Sequence, residues 1–439
     1  MKTILLFGAG KSASVLINYL LINAPKNDWK LLLADADQAL ALSKIGGSPR
    51  GEALCFNVLD ESMRAAAVTK ADLVISLLPP HLHIAVAKEC ITQKKHLLTA
   101  SYLNDEIKEF SNEIAEKGLL FLYEMGLDPG IDHMSAMAML DDIRKKGGQI
   151  NSFISHCGGL VAPESDNNPW HYKISWNPRN VVTAGRDGAK FKLNGLLNQY
   201  SQQEIFDQVR TISIKDLGDY AWYPNRDSIS YMGLYQLEAI PTFIRTTLRH
   251  PAYMRGWNYL LSFGMGKDEP VYEMDSPSLG EAWTQHFSSA KLSETVAQQC
   301  KKNPEFNEQL DFLGVHDTKT SLGKSRFSPA ELLQISLEKK LCLLHSDKDM
   351  IIMQHEVEYS LEGHFFKAES TLIVKGEDAI QTAMAKTVGL PLGIAASMIL
   401  QGKVNTRGLQ IPTIPSIYVP VLEELRNEGI CFSENCIEL

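Results

Sequence analysis

The first 123 residues alternate short, continuously apolar segments with amphipathic ones, and this alternation restricts the fold more than any other feature. Apolar strands are predicted at Thr3–Phe7, Leu31–Ala34, Ala53–Phe56, Leu73–Leu78, His96–Thr99 and Leu119–Tyr123. Helices are predicted at Ser12–Leu21, His83–Thr92 and Asn104–Lys117, with another beginning near Asp60. Continuously apolar strands are buried on both faces, which is typical of a parallel sheet covered by helices. Right-handed crossovers between such strands predict a doubly wound α/β fold of the Rossmann type.

A glycine-rich loop lies between the first strand and the first helix. Its sequence, Gly8-Ala9-Gly10-Lys11-Ser12-Ala13, has the form G-x-G-x-x-A. Gly8 allows a tight turn, Gly10 lets a pyrophosphate approach the backbone, and Ala13 lets the helix pack closely on the strand. Because a strand precedes the motif, a helix follows it and Asp35 ends the second strand, the sequence predicts a dinucleotide-binding site.

Asp35 bears on which dinucleotide binds. A carboxylate at this position accepts hydrogen bonds from the ribose hydroxyls of NAD and repels the 2′-phosphate of NADP, which usually recruits an arginine. No arginine lies beside Asp35 in the sequence, so NAD is favoured. Lys11 would offset part of the repulsion, which keeps NADP open. The structural alternative is that Asp35 caps the next helix.

Charge and cysteine content exclude several classes of protein. The chain has 43 basic and 52 acidic residues, a net charge of −9, which disfavours a general nucleic-acid binder. Seven cysteines without a Cys-x-x-Cys pair argue against a zinc site or a disulfide framework and favour a reducing compartment. The apolar segment Thr3–Phe7 is too short for a signal peptide. No stretch is expected to match the roughly 18 apolar residues of a membrane helix. We therefore expect a soluble cytoplasmic protein.

Several longer motifs follow one another along the chain. They are Leu77-Leu78-Pro79 with His83, Thr99-Ala100-Ser101-Tyr102, Gly126-Leu127-Asp128-Pro129-Gly130-Ile131-Asp132-His133, Cys157-Gly158-Gly159-Leu160 and Tyr223-Pro224-Asn225-Arg226-Asp227. Together they resemble the glutamate-forming saccharopine dehydrogenases (saccharopine reductases), and the resemblance extends over most of the chain. It implies NAD(P)-dependent oxidation of saccharopine, with water, to L-glutamate and 2-aminoadipate 6-semialdehyde. This reversible reaction belongs to lysine metabolism.

The resemblance also implies which residues bind substrate and cofactor. The implied substrate-binding residues are Ser101, Tyr102, Asp128, Arg226, Thr247, Leu248 and Arg249. The implied cofactor-binding residues are Gly8, Ala9, Gly10, Lys11, Ser12, Asp35, Ser76, Leu77, Met125, Gly126, Leu127, Asp128, Pro129, Gly130, Ile131, Ser175, Trp176 and Asn177. Saccharopine has three carboxylates, and Arg226 and Arg249 can each bind one with paired donors. Without the resemblance, two isolated arginines would more often be solvated or salt-bridged.

Catalysis needs proton transfer to nitrogen and from water, so acid–base residues are expected. The candidates are Asp128, Tyr102 and Cys157, with His133 as a further option. Each has a structural alternative. Asp128 could cap a helix begun by Pro129, Cys157 could be a buried apolar thiol, and His133 could be a structural hydrogen-bonding residue. No metal site is predicted.

The remaining sequence predicts a second domain of α+β type with a helical insert. Met350–Tyr359 and His364–Val374 read as an antiparallel hairpin, and Ser328 to Glu331 as a capping box. A long apolar helix is expected from about residue 379. We expect a dinucleotide-binding domain of residues 1–127 plus 385–439, and a substrate-binding and dimerisation domain of residues 128–384. One departure from the family is Asn57, where an aspartate usually lies near the adenine.

Two other functions stay open at this point. One is a related dehydrogenase or synthase acting on another secondary amine, such as carboxynorspermidine. A substrate with fewer carboxylates would have less use for both Arg226 and Arg249, which favours saccharopine. The other is a non-catalytic NAD-binding regulator. The predicted partner is a small-molecule substrate rather than a nucleic acid or a membrane. The direction of the reaction and the oligomeric state are left open, with a homodimer as one option.

Overall fold

The computed structural model describes all 439 residues, which form two compact units. The N-terminal unit comprises Met1–Gln149 and Ile380–Ser433, and the central unit comprises Ile150–Ala379 and Glu434–Leu439. The N-terminal unit is therefore assembled from two separate stretches of the chain.

The first stretch of the N-terminal unit alternates strands with helices. Its strands are β1 (Lys2–Phe7), β2 (Trp29–Asp35), β3 (Gly51–Cys55), β4 (Leu73–Ser76), β5 (His96–Thr99) and β6 (Leu120–Leu122). Its helices are α1 (Ser14–Asn27), α2 (Gln38–Ile45), α3 (Glu61–Thr69), α4 (His83–Thr92), α5 (Asp105–Lys108), α6 (Ser111–Glu116) and α7 (Ile131–Lys145).

The middle of the chain mixes longer strands with a group of helices. In chain order the elements are β7 (Gln149–Val161), α8 (Pro178–Val182), β8 (Ala189–Leu193), β9 (Leu196–Tyr200), α9 (Gln202–Asp207), β10 (Arg210–Ile214), β11 (Gly218–Pro224), β12 (Thr242–Arg249), α10 (Pro251–Ser262), β13 (Tyr272–Glu273), α11 (Leu279–Ser289), α12 (Ser293–Lys302), α13 (Pro304–Phe312), β14 (Arg326–Phe327), α14 (Pro329–Lys340), β15 (Asp349–Leu361) and β16 (His364–Lys375). The chain ends with α15 (Ala383–Leu400), β17 (Gly408–Gln410), α16 (Pro415–Asn427) and β18 (Phe432–Glu438).

The sheet of the N-terminal unit has seven strands in the order β3-β2-β1-β4-β5-β6-β17. All of its neighbouring strands are parallel. Ile4, Leu5 and Leu6 of β1 are fully buried, as expected for a strand covered on both faces. The strand order reverses between β1 and β4, and ligands of doubly wound sheets bind beyond the carboxyl ends of the strands at such a reversal. The predicted fold class is confirmed.

Helix α15 packs closely on α1 because two of its residues are glycines. A Cβ on Gly389 would lie 2.8 Å from the backbone nitrogen of Leu16, and one on Gly393 would lie 2.6 Å from Cδ1 of Tyr19. A side chain at either position would therefore push the helices apart. This contact joins the returning stretch of the chain to the core of the N-terminal unit.

Helix α15 is an apolar segment of membrane-spanning length, so the expectation that the chain has no such segment was wrong. By length and composition the 18 residues of α15 could cross a membrane. In the protein, however, 61% of the segment is buried. Packing in the core accounts for the apolar character of the helix, so one such helix is weak evidence for a membrane span.

The helix predicted at Asn104–Lys117 is in fact two short helices, α5 and α6, with a break at Glu109 and Phe110. Asn104 caps α5 by accepting a hydrogen bond from the amide of Ile107. Ile107 and Ile114 are both buried, one in each helix. Neither glycine nor proline occurs at the break, so the local sequence carries no signal for it.

The central unit is built on a mixed sheet of nine strands. Seven follow the order β10-β11-β12-β7-β15-β16-β18, and β8 and β9 pair beside β12. Strands β12 and β7 are parallel, whereas β10-β11, β11-β12 and β15-β16 are antiparallel. The predicted hairpin is confirmed, because β15 and β16 pair up to Leu361 opposite His364.

The helices of the central unit surround an aromatic core that includes Trp170, Trp257 and Trp283, all fully buried. Helices α10 to α14 form the predicted helical insert. The predicted capping box at the start of α14 is also confirmed. The side chain of Ser328 accepts from the amide of Glu331, and the Glu331 carboxylate accepts from the amide of Ser328.

Candidate functional site

The glycine loop after β1 has one crowded residue and one open residue. Gly8 has φ +100°, and a Cβ there would lie 2.7 Å from the carbonyl oxygen of Leu77 on the loop after β4. Gly10 is exposed, and a Cβ there would meet nothing within 4 Å. A short 3-10 turn, Lys11–Ala13, then leads into α1. The open space at Gly10, next to a helix N-terminus, fits the pyrophosphate of a dinucleotide.

Asp35 at the end of β2 faces this loop. Its Oδ2 accepts a 2.7 Å hydrogen bond from the amide of Ala9, and its Oδ1 accepts from the amide of Asp37 at 2.9 Å. The cap of α2 is Asp37, whose carboxylate accepts from the amide of Leu40, so the alternative role of Asp35 as that helix cap is wrong. Asp35 is therefore held where a ribose would lie against the glycine loop.

Sequence reasoning missed Lys44 near the same loop. Its ammonium group donates a 2.6 Å hydrogen bond to the hydroxyl of Ser14, which in turn donates to the carbonyl of Lys11. Partial burial lowers the pKa of Lys44. The lysine lies on α2, thirty positions after Ser14, and no periodicity in the sequence indicated this contact.

Ser76 and Asn57, which were both expected near the cofactor, form hydrogen bonds with residues close to them in the sequence. The hydroxyl of Ser76, at the end of β4, lies 2.8 Å from Nδ1 of His83, and both residues are buried. Burial, with a contribution from His81, lowers the pKa of His83 to about 4, so this imidazole is neutral at pH 7. Asn57, which stands where the family usually has an aspartate, closes a local turn. Its side-chain oxygen accepts a hydrogen bond from the amide of Leu59.

The segment Met125–Ile131 folds into a tight turn after β6. The amide of Gly126 donates to the carbonyl of Pro129, and the amide of Ile131 donates to the carbonyl of Gly126. The Asp128–Pro129 peptide bond is cis. Helix α7 begins at Ile131 with Gly130 as its N-cap, so the alternative role of Asp128 as a cap of a helix begun by Pro129 is wrong.

The turn brings Asp128 to Tyr102. The hydroxyl of Tyr102 donates to Oδ1 of Asp128 at 3.3 Å, and both side chains are half-buried. Ser101 and Tyr102 follow β5, whereas Asp128 follows β6. Because adjacent parallel strands end at the same edge of the sheet, their following loops meet there. A carboxylate and a phenol in hydrogen-bond contact can hold an amine and exchange a proton with it.

Beneath this pair lies a buried group that sequence reasoning largely missed. Glu124, Asp132 and His133 are all almost completely buried, and Nε2 of His133 lies 2.8 Å from Oε2 of Glu124. Only His133 was among the predicted residues. An acidic residue two positions after a fully buried strand is the signal that could have identified Glu124.

In the central unit, two predicted site residues, Cys157 and Thr247, form one row across the sheet with Tyr223. Thr247 of β12 is opposite Cys157 of β7 and opposite Tyr223 of β11. Residues in such register point to the same face, so the Cys157 thiol lies beside Thr247. Cys157 is buried. Leu248 points to the other face and is fully buried, and a Cβ on Gly158 would lie 2.7 Å from its Cβ, so the Leu248 side chain packs in the core.

Arg249, the last residue of β12, is a buried arginine. Only 4% of it is exposed. Its guanidinium carbon lies 5.4 Å from the ring centre of Tyr172 and 5.6 Å from that of Tyr253, and Nη1 donates to the carbonyl of Leu248. Its Nε has no partner, and no carboxylate forms an ion pair with it. A buried cation without an anion is unfavourable unless a ligand supplies the anion.

Arg226 lies in the loop after β11 and differs from Arg249 in exposure. Its side chain is 59% exposed, and Nη1 is 3.9 Å from Oδ2 of Asp187. Its carbonyl accepts from the amide of Lys190. In the pairing of β11 with β12, Arg249 is opposite Ala221, whereas Arg226 follows the last pair, Pro224 opposite Thr246. The two arginines therefore lie towards opposite ends of this pair of strands.

Ser175, Trp176 and Asn177, predicted to contact the cofactor, precede α8 in the central unit. Trp176 donates from its indole nitrogen to the hydroxyl of Tyr172 at 3.1 Å, and Asn177 caps α8. Trp176 is therefore linked to a ring that lies against Arg249. No group of three or more histidine, cysteine, aspartate or glutamate side chains is arranged to hold a metal ion.

Comparison with known proteins gives full-length matches. Residues 4–122 match the saccharopine dehydrogenase NADP binding domain, and residues 126–430 match the saccharopine dehydrogenase C-terminal domain. The chain is 33% identical to the NADP(+), L-glutamate-forming saccharopine dehydrogenase of Schizosaccharomyces pombe, over 100% of both chains. It is 33% identical to the mitochondrial alpha-aminoadipic semialdehyde synthase of Bos taurus, over 98% of this chain and 47% of that longer protein.

Solved structures agree with these matches. The apo, histidine-tagged L-Glu-forming saccharopine dehydrogenase of Saccharomyces cerevisiae superposes with a TM-score of 0.89 at 30% identity, covering 100% of both chains. The homospermidine synthase of Legionella pneumophila in complex with NAD superposes with a TM-score of 0.56 at 9% identity, covering 99% of this chain and 91% of that one, which shows a shared fold only. By sequence over its full length and by structure, this chain belongs to the saccharopine dehydrogenase family.

Proposed function

We propose that this protein oxidises saccharopine, with NAD and water, to L-glutamate and 2-aminoadipate 6-semialdehyde. The observation that carries the proposal is the buried guanidinium of Arg249, which has no carboxylate partner in the protein. A substrate carboxylate would complete its interactions and remove the cost of burying an unpaired charge. The similarity over the full length to enzymes named L-glutamate-forming supports the same reaction.

The two arginines of the central unit have separate roles in this proposal. Arg249 is buried against the rings of Tyr172 and Tyr253 and binds one carboxylate there, where a charged hydrogen bond is strong. Arg226 is exposed, and binds a second carboxylate. Their positions towards opposite ends of the β11–β12 pair suit an elongated substrate with carboxylates at both ends.

In the N-terminal unit, Asp128 and Tyr102 are proposed to handle the amine. The carboxylate of Asp128, oriented by the Tyr102 hydroxyl, attracts the secondary ammonium and accepts its proton. Gly8, Gly10 and Asp35 would hold NAD, which would supply the acceptor for the hydride of the lysine-side carbon attached to that nitrogen. The resulting imine is hydrolysed by water, which releases the amine of glutamate and the aldehyde. Cys157, buried beside Thr247 in the central unit, is a further candidate for acid–base catalysis.

NAD rather than NADP is proposed because of Asp35. Its carboxylate is fixed against the glycine loop and would repel a 2′-phosphate. The relatives from Schizosaccharomyces pombe and Saccharomyces cerevisiae are named for NADP(+), so the choice of cofactor is a proposal about this chain. Lys11 and Lys44 lie near the loop and would offset part of the repulsion.

The two other candidate functions agree less well with the two arginines. A polyamine-type secondary amine with fewer carboxylates, such as carboxynorspermidine, would leave either Arg249 or Arg226 without a ligand anion. A non-catalytic NAD-binding role would need neither arginine. The proposal therefore rests on the anion requirement of Arg249.

The test is the absorbance at 340 nm with saccharopine and either NAD or NADP. We expect NADH formation, and loss of at least about 100-fold in kcat/KM in Arg249→Met, since a buried charged contact is removed. Arg255→Lys is the matched control, because Arg255 is an exposed arginine already paired with Glu305. An unchanged absorbance with both cofactors, in protein that binds NAD, would contradict the proposal.

A further inference from the structure

The loops that carry Tyr102 and Asp128 are both attached to the buried group beneath them. Glu124, the second residue after β6, has a left-handed backbone with φ +55°. A non-glycine residue adopts this conformation rarely, and such residues cluster at functional sites. In this conformation the amide of Glu124 donates to the carbonyl of Ser101, and Oε1 accepts from the amide of Leu103 at 2.9 Å. Glu124 thus holds the backbone on both sides of Tyr102.

Asp132 holds the second loop in a similar way. Its Oδ1 accepts a 2.6 Å hydrogen bond from the amide of Gly130, and its own amide donates to the carbonyl of Leu127. These two bonds close the turn on either side of Asp128. The Asp132 carboxylate is almost completely buried and therefore has almost no contact with solvent.

His133 connects the two carboxylates. Its Nε2 lies 2.8 Å from Oε2 of Glu124, and its Nδ1 lies 3.7 Å from Oδ2 of Asp132. The imidazole is fully buried. Nε2 therefore faces the carboxylate that fixes the loop of Tyr102, and Nδ1 faces the carboxylate that fixes the turn of Asp128. Buried networks of this kind restrict the geometry of the groups that they support.

We infer that His133, with Glu124 and Asp132, is a positioning residue that sets the distance between Tyr102 and Asp128. This inference rests on the proposed oxidation of saccharopine, in which those two side chains handle the amine. His133 acts through Glu124 and Asp132, whose hydrogen bonds fix the two loops. A misplacement of about 1 Å at a reacting centre can cost about 100-fold in rate.

The test compares three variants of the full-length protein. His133→Leu removes both imidazole contacts at similar volume, and we expect kcat/KM for saccharopine to fall by about 10- to 100-fold, mainly through kcat. His133→Gln retains one polar group toward Glu124 and should recover a large part of that loss. His96→Gln is the control, since His96 begins β5 and accepts from the amide of Leu120.

A second measurement does not depend on the substrate. Amide hydrogen exchange of residues 101–103 and of residues 127, 128 and 130 should speed up together in His133→Leu, because the imidazole contacts both of the carboxylates that fix these segments. Unchanged kcat/KM, or faster exchange in only one segment, would overturn the inference. If the parent protein does not oxidise saccharopine, the proposed function fails, whereas the exchange experiment still decides whether His133 couples the loops. Should His133→Leu fail to fold, Glu124→Gln, which keeps an acceptor for Leu103, replaces it.

Discussion

The amide of Ala9 in the glycine loop donates a 2.7 Å hydrogen bond to Oδ2 of Asp35 at the end of β2. The carboxylate that we propose to select the ribose is therefore attached to the loop proposed to receive the pyrophosphate. Because the second oxygen accepts from the amide of Asp37, the side chain is held on both sides. A fixed carboxylate cannot easily turn away from a 2′-phosphate.

We expect Asp35→Ala to change cofactor preference. The substitution removes both the acceptor for the ribose hydroxyls and the repulsion of the 2′-phosphate. The ratio of kcat/KM for NAD to that for NADP should fall by about 100-fold, equivalent to about 2.8 kcal/mol. Asp37→Asn is the control, since Asp37 caps α2 and lies outside the proposed ribose contact. An unaltered ratio in Asp35→Ala would mean that another group sets the preference.

The two glycines of the loop should respond differently to alanine. Gly8→Ala places a Cβ 2.7 Å from the Leu77 carbonyl at a φ of +100°, and should destabilise the protein by about 2 kcal/mol or more. Gly10→Ala meets nothing within 4 Å, so its melting temperature should stay near that of the parent. It should nevertheless weaken NAD binding by about tenfold or more, because the methyl group occupies the space open to the pyrophosphate. Calorimetry of melting and of binding measures both effects, and equal stability of the two variants would contradict this assignment.

Arg249→Met should not destabilise the ligand-free protein, although Arg249 is buried. Its guanidinium has no carboxylate partner and its Nε has no acceptor. Replacing a buried charge by an apolar side chain of similar length is often neutral or stabilising. The melting temperature of the parent should rise with saccharopine, by mass action, and that of the variant should not. A large loss of stability in the variant without ligand would show that Arg249 is structural.

Stability of the central unit should depend on the protonation of His156. Burial, with contributions from His355 and Lys367, lowers the pKa of His156 to about 3. In the unfolded chain the pKa returns to about 6.5, so below that pH the unfolded state binds the extra proton. The contribution is fully present above pH 6.5 and is lost as the pH falls from 6.5 towards 3. Between pH 7.5 and 5 the free energy of unfolding should fall by about 2 kcal/mol from this group.

His156→Gln should flatten this pH dependence, because glutamine can bond to Thr246 but does not titrate. Tryptophan fluorescence during denaturation is a suitable probe, since five of the six tryptophans lie in the central unit. His316→Gln is the control, because His316 is 80% exposed. The same slope in the parent and in His156→Gln would exclude His156 as the source.

The sequence by itself determined the elements whose signals are local. Continuous apolar strands, the glycine loop and Asp35 predicted the parallel sheet and the dinucleotide site, and the order of strands confirmed the fold class. The hairpin of β15 and β16 and the capping box at Ser328 were also predicted, since alternation and capping act over a few residues. These features need no knowledge of distant contacts.

Only the tertiary structure decided the features that depend on residues far apart in the chain. It showed that Arg249 has aromatic neighbours and no anion, that Lys44 reaches Ser14, and that Glu124, Asp132 and His133 lie together below two loops. It also corrected Asp128, which is no helix cap, and α15, which is a core helix apolar enough to resemble a membrane span. The physical reason is that burial and the pairing of charges depend on what packs around a residue, which local patterns of sequence do not encode.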